Sequence, residues 1–155
     1  MNIFDFAITK ELEGETFYRE MASHAPNGEI GHLFTLLADQ ERGHCAVLER
    51  LKHHSSDETL EIPAPVIEIK AIFETLIANN TFTSHDFSEA DIYRFAFEAE
   101  SQSLDLYQGL ARDANSPQEK AIFSCLAQEE QIHQSIINGI LHILQLTQTQ
   151  NQGSP

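Results

Sequence analysis

Glu41-Arg42-Gly43-His44 and Glu130-Gln131-Ile132-His133 each place a glutamate and a histidine three residues apart in a long amphipathic segment. The apolar residues of both segments recur every three or four positions, which is the pattern of a helix with one buried face. In both, the glutamate and the histidine occupy positions where that pattern calls for apolar side chains. We call the line of residues along the buried face the seam. In the first segment it is Phe34, Leu37, Glu41, His44, Leu48 and Leu51, and in the second it is Phe123, Leu126, Glu130, His133, Ile137, Ile140 and Leu144. Because an unpaired buried carboxylate is costly, each glutamate must find a partner inside the protein or lose its charge.

Two further segments carry a single glutamate on the same kind of apolar seam. The seams are Phe4, Ala7, Glu11, Gly14, Tyr18 and Met21 in one, and Tyr93, Ala96, Glu100, Ser103, Tyr107 and Leu110 in the other. Each glutamate is followed one turn later by a small residue and two turns later by a tyrosine. Four helices would therefore contribute four carboxylates and two imidazoles to one interior, where we expect them to meet.

An internal repeat relates the two halves of the chain at a constant offset of 89 residues. The matched pairs are Ala7 and Ala96, Glu11 and Glu100, Tyr18 and Tyr107, Ala22 and Ala111, Phe34 and Phe123, Leu37 and Leu126, Ala38 and Ala127, Glu41 and Glu130, and His44 and His133. In each half the single glutamate precedes the Glu-x-x-His by 30 residues. Packed about a pseudo-twofold axis, the halves would place these residues at equivalent heights and form one symmetric site.

Helix start and stop signals predict a first helical hairpin. Asn2 or Asp5 can cap a helix that runs to about Ala25. A second helix begins at Pro26-Asn27-Gly28 and continues to the region of His53-His54-Ser55.

The same kind of signals predict a second hairpin. Ser88 with Asp91 forms a capping box that opens a third helix, which ends near Asn115. Ser116-Pro117 with Glu119 opens the fourth helix in the same way, with proline at the first helical position.

Residues 55–87, between the hairpins, hold two prolines and many polar residues, with one short helix predicted from about Val66 to Ala78. Two tight hairpins joined by such a long crossover predict an all-α four-helix bundle that is not of the simple up-down type. We expect one domain, residues 1–146, and a flexible polar tail, residues 147–155.

The composition narrows the classes of partner. A formal charge of -15 disfavours nucleic acid and anionic membranes, because phosphate-binding surfaces need clustered lysine and arginine. No apolar run approaches the length of a membrane span, and the N-terminus lacks the pattern of a signal peptide, so the expected location is the cytoplasm. Cys45 and Cys125 form no Cys-x-x-Cys pair and are predicted to be buried, reduced thiols.

The inward residues suit a pair of divalent metal ions. Four carboxylates balance two divalent ions, so the buried cluster is neutral when both histidines are uncharged. By symmetry, Glu41 and Glu130 are predicted to bridge the ions and His44 and His133 to be terminal nitrogen ligands. Glu11 and Glu100 would be terminal carboxylate ligands. Mixed carboxylate and imidazole ligation favours iron or manganese, and the lack of thiolate argues against structural zinc.

The constellation of Glu11 with Tyr18, Glu41-Arg-Gly-His44, Glu100 with Tyr107 and Glu130-Gln-Ile-His133 resembles the di-iron domain of rubrerythrins and related ferritin-like proteins. The resemblance covers about residues 4–146. It implies two iron ions, for which manganese or zinc could substitute, and reduction of hydrogen peroxide or dioxygen, often by a homodimer.

Two departures from the rubrerythrin pattern bear on the activity. Full-length rubrerythrins carry a rubredoxin domain, whereas this chain has no cysteine motif for one, so an external electron donor is expected. Peroxidase-type members carry an extra glutamate one turn after the terminal ligand of the third helix, where this chain has Ser103 beside Leu104.

Three functions remain open from the sequence. The first is reduction of peroxide or dioxygen. The second is ferroxidase activity or iron handling, in which ferrous iron is the substrate. The third is a non-enzymatic, structural metal site. Tyr18 and Tyr107 are either aromatic core or hydrogen-bond donors to ligating carboxylates, and Gly14 and Ser103 either pack or leave room for a small oxidant.

Other polar residues are interpreted as surface groups. Glu29-Ile-Gly-His32 repeats the Glu-x-x-His spacing but has no repeat partner and lies off the seam. Glu13, Glu98 and Glu129 are displaced from the seams by one or two positions and are predicted to be solvated. His24, His53, His54, His85 and His142 lack positional support as ligands.

Overall fold

The chain is described by a computed structural model that covers residues 2–55, 59–63, 66–81 and 90–152, with side chains described as far as residue 146. The described residues form five helices and no strand. The helices are α1 (Ile3–Ser23), α2 (Gly28–Lys52), α3 (Glu68–Ala78), α4 (Ala90–Arg112) and α5 (Pro117–Gln152). The predicted all-α architecture is confirmed, and the short predicted helix of the crossover is present as α3.

Side-chain caps start the helices as their sequences indicate. Of the two predicted caps of α1, Asn2 is the one used, and its side chain accepts a hydrogen bond from the Asp5 backbone N–H at 2.9 Å. Asn27 caps α2 through the Ile30 N–H at 2.9 Å. Ser116 caps α5 through the Glu119 N–H at 3.1 Å, with Pro117 as the first helical residue.

Two helix ends differ from the sequence predictions. Helix α4 ends at Arg112 rather than near Asn115. Helix α5 continues to Gln152, into the segment predicted as a flexible tail, because no glycine or proline occurs between Gly139 and Gly153. Residues 153–155 lie outside the described residues, as does Ser88 of the predicted capping box.

The helices pack as two hairpins, α1 with α2 and α4 with α5. Helix α3 of the crossover contacts both α2 and α5. At its contact with α5, a Cβ atom built on Gly139 would lie 2.7 Å from the Phe73 ring, so only glycine lets the ring approach this closely. The crossover is therefore seated on the bundle, and the bundle of two hairpins predicted from the sequence is confirmed.

The core consists of two apolar clusters separated by a polar belt. One cluster includes Tyr18, Phe34 and Ile137, and the other includes Leu48 and Phe123. Between them lie the buried charged and polar residues of the described chain, which are Glu11, Glu41, His44, Glu100, Glu129, Glu130 and His133. The belt is thus closed off at both ends by apolar side chains.

Within the described ranges, we find no helix with the length and apolar character that crossing a membrane requires.

Candidate metal centre

Two groups of four ligand atoms converge in the polar belt. The atoms of each group lie within 4.8 Å of one another. The first group comes from Glu11, Glu41, His44 and Glu130, and the second from Glu41, Glu100, Glu130 and His133. Glu41 and Glu130 belong to both groups. All six predicted site residues are thus brought together, and none is more than 7% exposed.

The two imidazoles face the cluster through Nδ1. His44 Nδ1 lies 3.0 Å from Glu130 Oε1 and 3.2 Å from Glu11 Oε2. His133 Nδ1 lies 2.7 Å from Glu41 Oε1. The rings stack with their centroids 5.9 Å apart and their planes at 15°. The pseudo-twofold repeat of the sequence therefore appears as a nearly symmetric pair of imidazoles.

Three buried atoms at the centre make no hydrogen bond, namely Glu41 Oε1, Glu130 Oε2 and His133 Nδ1. The first and third are close together but are not aligned for a hydrogen bond. Buried polar atoms without partners are rare in native proteins, and here they point into one cluster of carboxylate and imidazole donors. Such a donor set fits hard or intermediate divalent cations such as iron or manganese.

Tyr18 and Tyr107 tie the two hairpins together at the cluster. The Tyr18 hydroxyl donates a hydrogen bond to Glu100 Oε1 at 2.5 Å, and the Tyr107 hydroxyl donates one to Glu11 Oε1. Each tyrosine thus binds the glutamate of the opposite hairpin. Burial and then the charge of that glutamate raise the pKa of each phenol well above its ordinary value, so both remain protonated donors.

Without a cation, the shared carboxylates favour their neutral form. Burial, followed by the negative charge of Glu11, raises the pKa of Glu41 and of Glu130 well above the ordinary range. Carboxylates this close cannot all be ionised at once, so protons take up the charge that a cation would otherwise balance.

The outer carboxylates and the imidazoles show the complementary pattern. Burial is the largest single effect on Glu11 and would raise its pKa, but the charge of His44 and hydrogen bonds from Glu41, His44 and Tyr107 together lower it. Burial would likewise raise the pKa of Glu100, but the close approach of Glu130 and His133, the charge of His133 and the hydrogen bond from Tyr18 together lower it. The pKa values of His44 and His133 are raised against the effect of burial, mainly by Glu11 for the first and by Glu100 for the second.

Glu129 contradicts its predicted place at the surface. It is only 6% exposed, and its Oε2 lies 2.9 Å from His44 Nε2, the nitrogen on the far side of the imidazole from the cluster. The prediction was wrong because the side of α5 next to the seam faces the crossover rather than solvent. Gln40 lies in the equivalent place beside His133, with 2.6 Å between Gln40 Oε1 and His133 Nε2.

Sequence reasoning missed this pair, although a signal was present. Gln40 and Glu129 are related by the 89-residue offset of the repeat. A repeat defined by identical residues does not include them, because an amide stands opposite a carboxylate.

Four other residues predicted at the surface are exposed, whereas His85 lies outside the described residues. Glu29 and His32 form the second, off-seam Glu-x-x-His, which we call the decoy motif, and both are exposed. Glu13 and Glu98 are exposed as well. Spacing alone therefore does not produce a site, since the decoy lies off the buried seam.

A cavity of about 170 Å³ leads to the cluster between α1 and α4. Its lining includes Gly14, Phe17 and Ser103, with Glu41 and Glu100 of the cluster. A Cβ atom on Gly14 would lie 2.9 Å from Glu41 Oε2, so this glycine allows the carboxylate to sit against α1.

Cys45 and Cys125 are buried and not joined in a disulfide, as predicted for thiols. Burial raises the pKa of each to about 11. Neither belongs to the two converging groups, so the candidate centre is built from oxygen and nitrogen donors.

The fold and this buried set of four carboxylates and two imidazoles are typical of helical bundles that hold metal ions in their core. Comparison with protein families is more specific. The family model for rubrerythrin matches residues 2–81 and 91–153, and the chain belongs to the rubrerythrin family. The resemblance predicted from the sequence is confirmed, and the cluster is compatible with a di-iron site. Comparisons with curated proteins and with solved structures gave no match.

Proposed function

We propose that this protein is a di-iron oxidoreductase of rubrerythrin type that reduces hydrogen peroxide or dioxygen. The observation that carries the proposal is the pair of four-atom groups that share Glu41 and Glu130. Two cations placed in such groups would have two carboxylates in common, which is the arrangement of carboxylate-bridged centres in ferritin-like bundles. Membership of the rubrerythrin family supports the same conclusion.

Each residue has a role in the proposal. Glu41 and Glu130 would each offer oxygen to both ions. His44 and His133 would each offer one ion the Nδ1 that faces the cluster. Glu11 and Glu100 would each offer a carboxylate to one ion. Iron is the proposed native metal, and manganese or zinc would substitute because they accept the same donors.

The protein prepares this site for redox chemistry in two ways. Tyr18 and Tyr107 hold the terminal carboxylates by hydrogen bonds across the hairpins, which fixes their orientation. The apolar clusters keep water from the two ends of the belt, which strengthens electrostatic interactions there. When bound, two ferrous ions would supply one electron each, enough to reduce a peroxide by two electrons without releasing a radical.

The cavity between α1 and α4 gives small substrates a path to the cluster. Its volume of about 170 Å³ is ample for peroxide or dioxygen, since one water molecule takes roughly 30 Å³ in the liquid. Gly14 and Ser103, one turn from Glu11 and Glu100, would keep this path to the cluster open for a small oxidant.

The electrons that restore the ferrous state come, in this proposal, from an external donor. Cys45 and Cys125 lie on different helices and outside both ligand groups, so they do not provide a second iron site. We further propose a cytoplasmic homodimer that binds neither nucleic acid nor membrane, in keeping with the charge of -15.

The second candidate function is ferroxidase activity, in which ferrous iron is itself the substrate. It is favoured by Glu98, an exposed carboxylate beside the cavity, which together with the overall charge would attract cations there; Glu13 also lines the cavity but is paired with Lys10 at 3.4 Å.

Rate measurements on the iron-loaded protein separate the candidates. We expect turnover of hydrogen peroxide, supported by an added reductant, to exceed any net consumption of ferrous iron. Net loss of ferrous iron from solution would favour the ferroxidase function, and no reaction with peroxide, dioxygen or excess iron would leave a structural metal site. Glu130→Ala should abolish turnover, while Glu29→Ala, at the exposed decoy, should leave it unchanged.

A further inference from the structure

The two imidazoles of the centre are supported by chemically different partners. Glu129 Oε2 lies 2.9 Å from His44 Nε2, and Gln40 Oε1 lies 2.6 Å from His133 Nε2. These two partners occupy equivalent positions of the 89-residue repeat. The six predicted ligands are therefore symmetric. The groups beside the outer nitrogens of the imidazoles differ, with a carboxylate at His44 and a neutral amide at His133.

Val66 of the crossover holds both partners through its backbone. Its carbonyl accepts a hydrogen bond from Gln40 Nε2 at 3.3 Å, and its N–H donates one to Glu129 Oε1 at 3.4 Å. With its amide nitrogen turned to Val66, Gln40 presents its oxygen to His133. An amide oxygen and a carboxylate only accept hydrogen bonds, so with a cation in the cluster both imidazoles would keep their proton on Nε2 and direct the Nδ1 lone pair at the cation.

We propose that Glu129 and Gln40 are positioning residues that make the two metal positions unequal, the position of His44 binding a divalent ion more tightly than that of His133. The proposal rests on the proposed di-metal centre. A carboxylate that accepts the outer N–H makes an imidazole a stronger donor to a metal than a neutral amide does. The crossover would thus determine which of the two metal positions binds an ion first, although their ligands are symmetric.

Anaerobic titration of the full chain with cobalt(II), followed by calorimetry and visible absorption, tests the order. We expect the wild type to bind two ions in separate steps, with affinities about tenfold or more apart. Glu129→Gln keeps an acceptor for His44 and gives up the long contacts of Oε1 with the Val66 N–H and the Cys125 thiol. It should weaken the first step about tenfold, so that the two steps merge.

The reciprocal exchange supplies the matched controls. Gln40→Glu should strengthen the weaker step and also merge the two. The double variant Gln40→Glu/Glu129→Gln keeps the net charge and should restore two separate steps in the inverted order. Glu29→Gln removes a charge at the exposed decoy and should change neither step.

The order itself can be assigned by NMR of histidine-labelled protein, because the Nε2 protons of imidazoles bound to cobalt shift far from the ordinary range. In the wild type the proton of His44 should shift first, and in the double variant that of His133. Equal affinities in the wild type, or unchanged steps in Glu129→Gln, would overturn the inference and leave the di-metal centre standing. Binding of no cobalt would overturn both.

Discussion

Glu41 and Glu130 differ from the other cluster residues because each belongs to both groups of converging ligand atoms. Both sit at mid-height of a long helix, one turn before a histidine on the same face. A single residue type at one seam position therefore links the two halves of the site. The terminal glutamates lack this property, since each belongs to one group only.

Substitutions should distinguish these roles. Glu41→Ala or Glu130→Ala removes an oxygen donor from both groups, so we expect iron occupancy to fall at both positions. Glu11→Ala or Glu100→Ala removes a donor from one group and should mainly weaken one position. Iron content per chain after anaerobic loading and gel filtration measures the difference.

Glu29→Ala is the internal control for that series, since Glu29 has the same spacing to a histidine but is exposed. It should retain full iron content. If Glu29→Ala emptied the site while Glu41→Ala left it full, the proposed roles of Glu41 and His44 would be wrong.

At the residue scale, the sequence predicted what periodicity encodes and missed what depends on neighbours. All six cluster residues were found because they are polar residues on apolar seams, repeated at one offset. The burial of Glu129 was not predicted, because it depends on the crossover lying beside α5. The hydrogen bonds of Tyr18 and Tyr107 across the hairpins likewise depend on how the hairpins pack. The apolar periodicity of a single helix does not specify that packing.

At the scale of elements, the crossover is more than a connection. Helix α3 lies against α2 and α5, and the Phe73 ring rests on Gly139. Just before α3, Val66 reaches the residues that support the imidazoles. The sequence predicted this helix from its apolar pattern, but not where it docks, since nothing local in the chain specifies the partner surface.

Glycine substitutions test the docking of α3. A Cβ at Gly139 would lie 2.7 Å from the Phe73 ring, whereas one at Gly43 meets nothing within 4 Å. Both glycines are within helices, where alanine is intrinsically better by about 1 kcal/mol. We expect Gly43→Ala to stabilise the protein in urea denaturation, and Gly139→Ala to be less stable than Gly43→Ala by about 1–3 kcal/mol because of overpacking. Equal gains in both variants would show that α3 is not seated on α5.

At the scale of the whole molecule, the centre couples protonation to stability. In the metal-free protein, the pKa values of Glu41, Glu130, His44 and His133 are all raised. The folded protein then binds more protons than the unfolded chain, so the stability from these groups is present at low pH and is lost as pH rises through the raised pKa values. Glu11 and Glu100 act in the opposite sense, with lowered pKa values, and lose their contribution as pH falls below the ordinary value of 4.5.

The metal-free protein should therefore be most stable in mildly acidic solution, and its melting temperature should fall as pH is raised from about 6 to about 9. Metal binding replaces the protons, so the melting temperature of the loaded protein should exceed that of the metal-free protein by a margin that widens with pH. Calorimetric scans of both forms measure this. Equal melting temperatures at neutral pH would argue against ligands converging in the core.

The central claim is that one symmetric cluster in the core of the bundle holds a pair of metal ions. Anaerobic titration of the metal-free chain with ferrous iron tests it most directly, by counting the ions retained after unbound iron is removed. The two groups that share Glu41 and Glu130 predict about two ions per chain, a number that Glu29→Ala should not change. One ion per chain, or none, would contradict the di-iron centre.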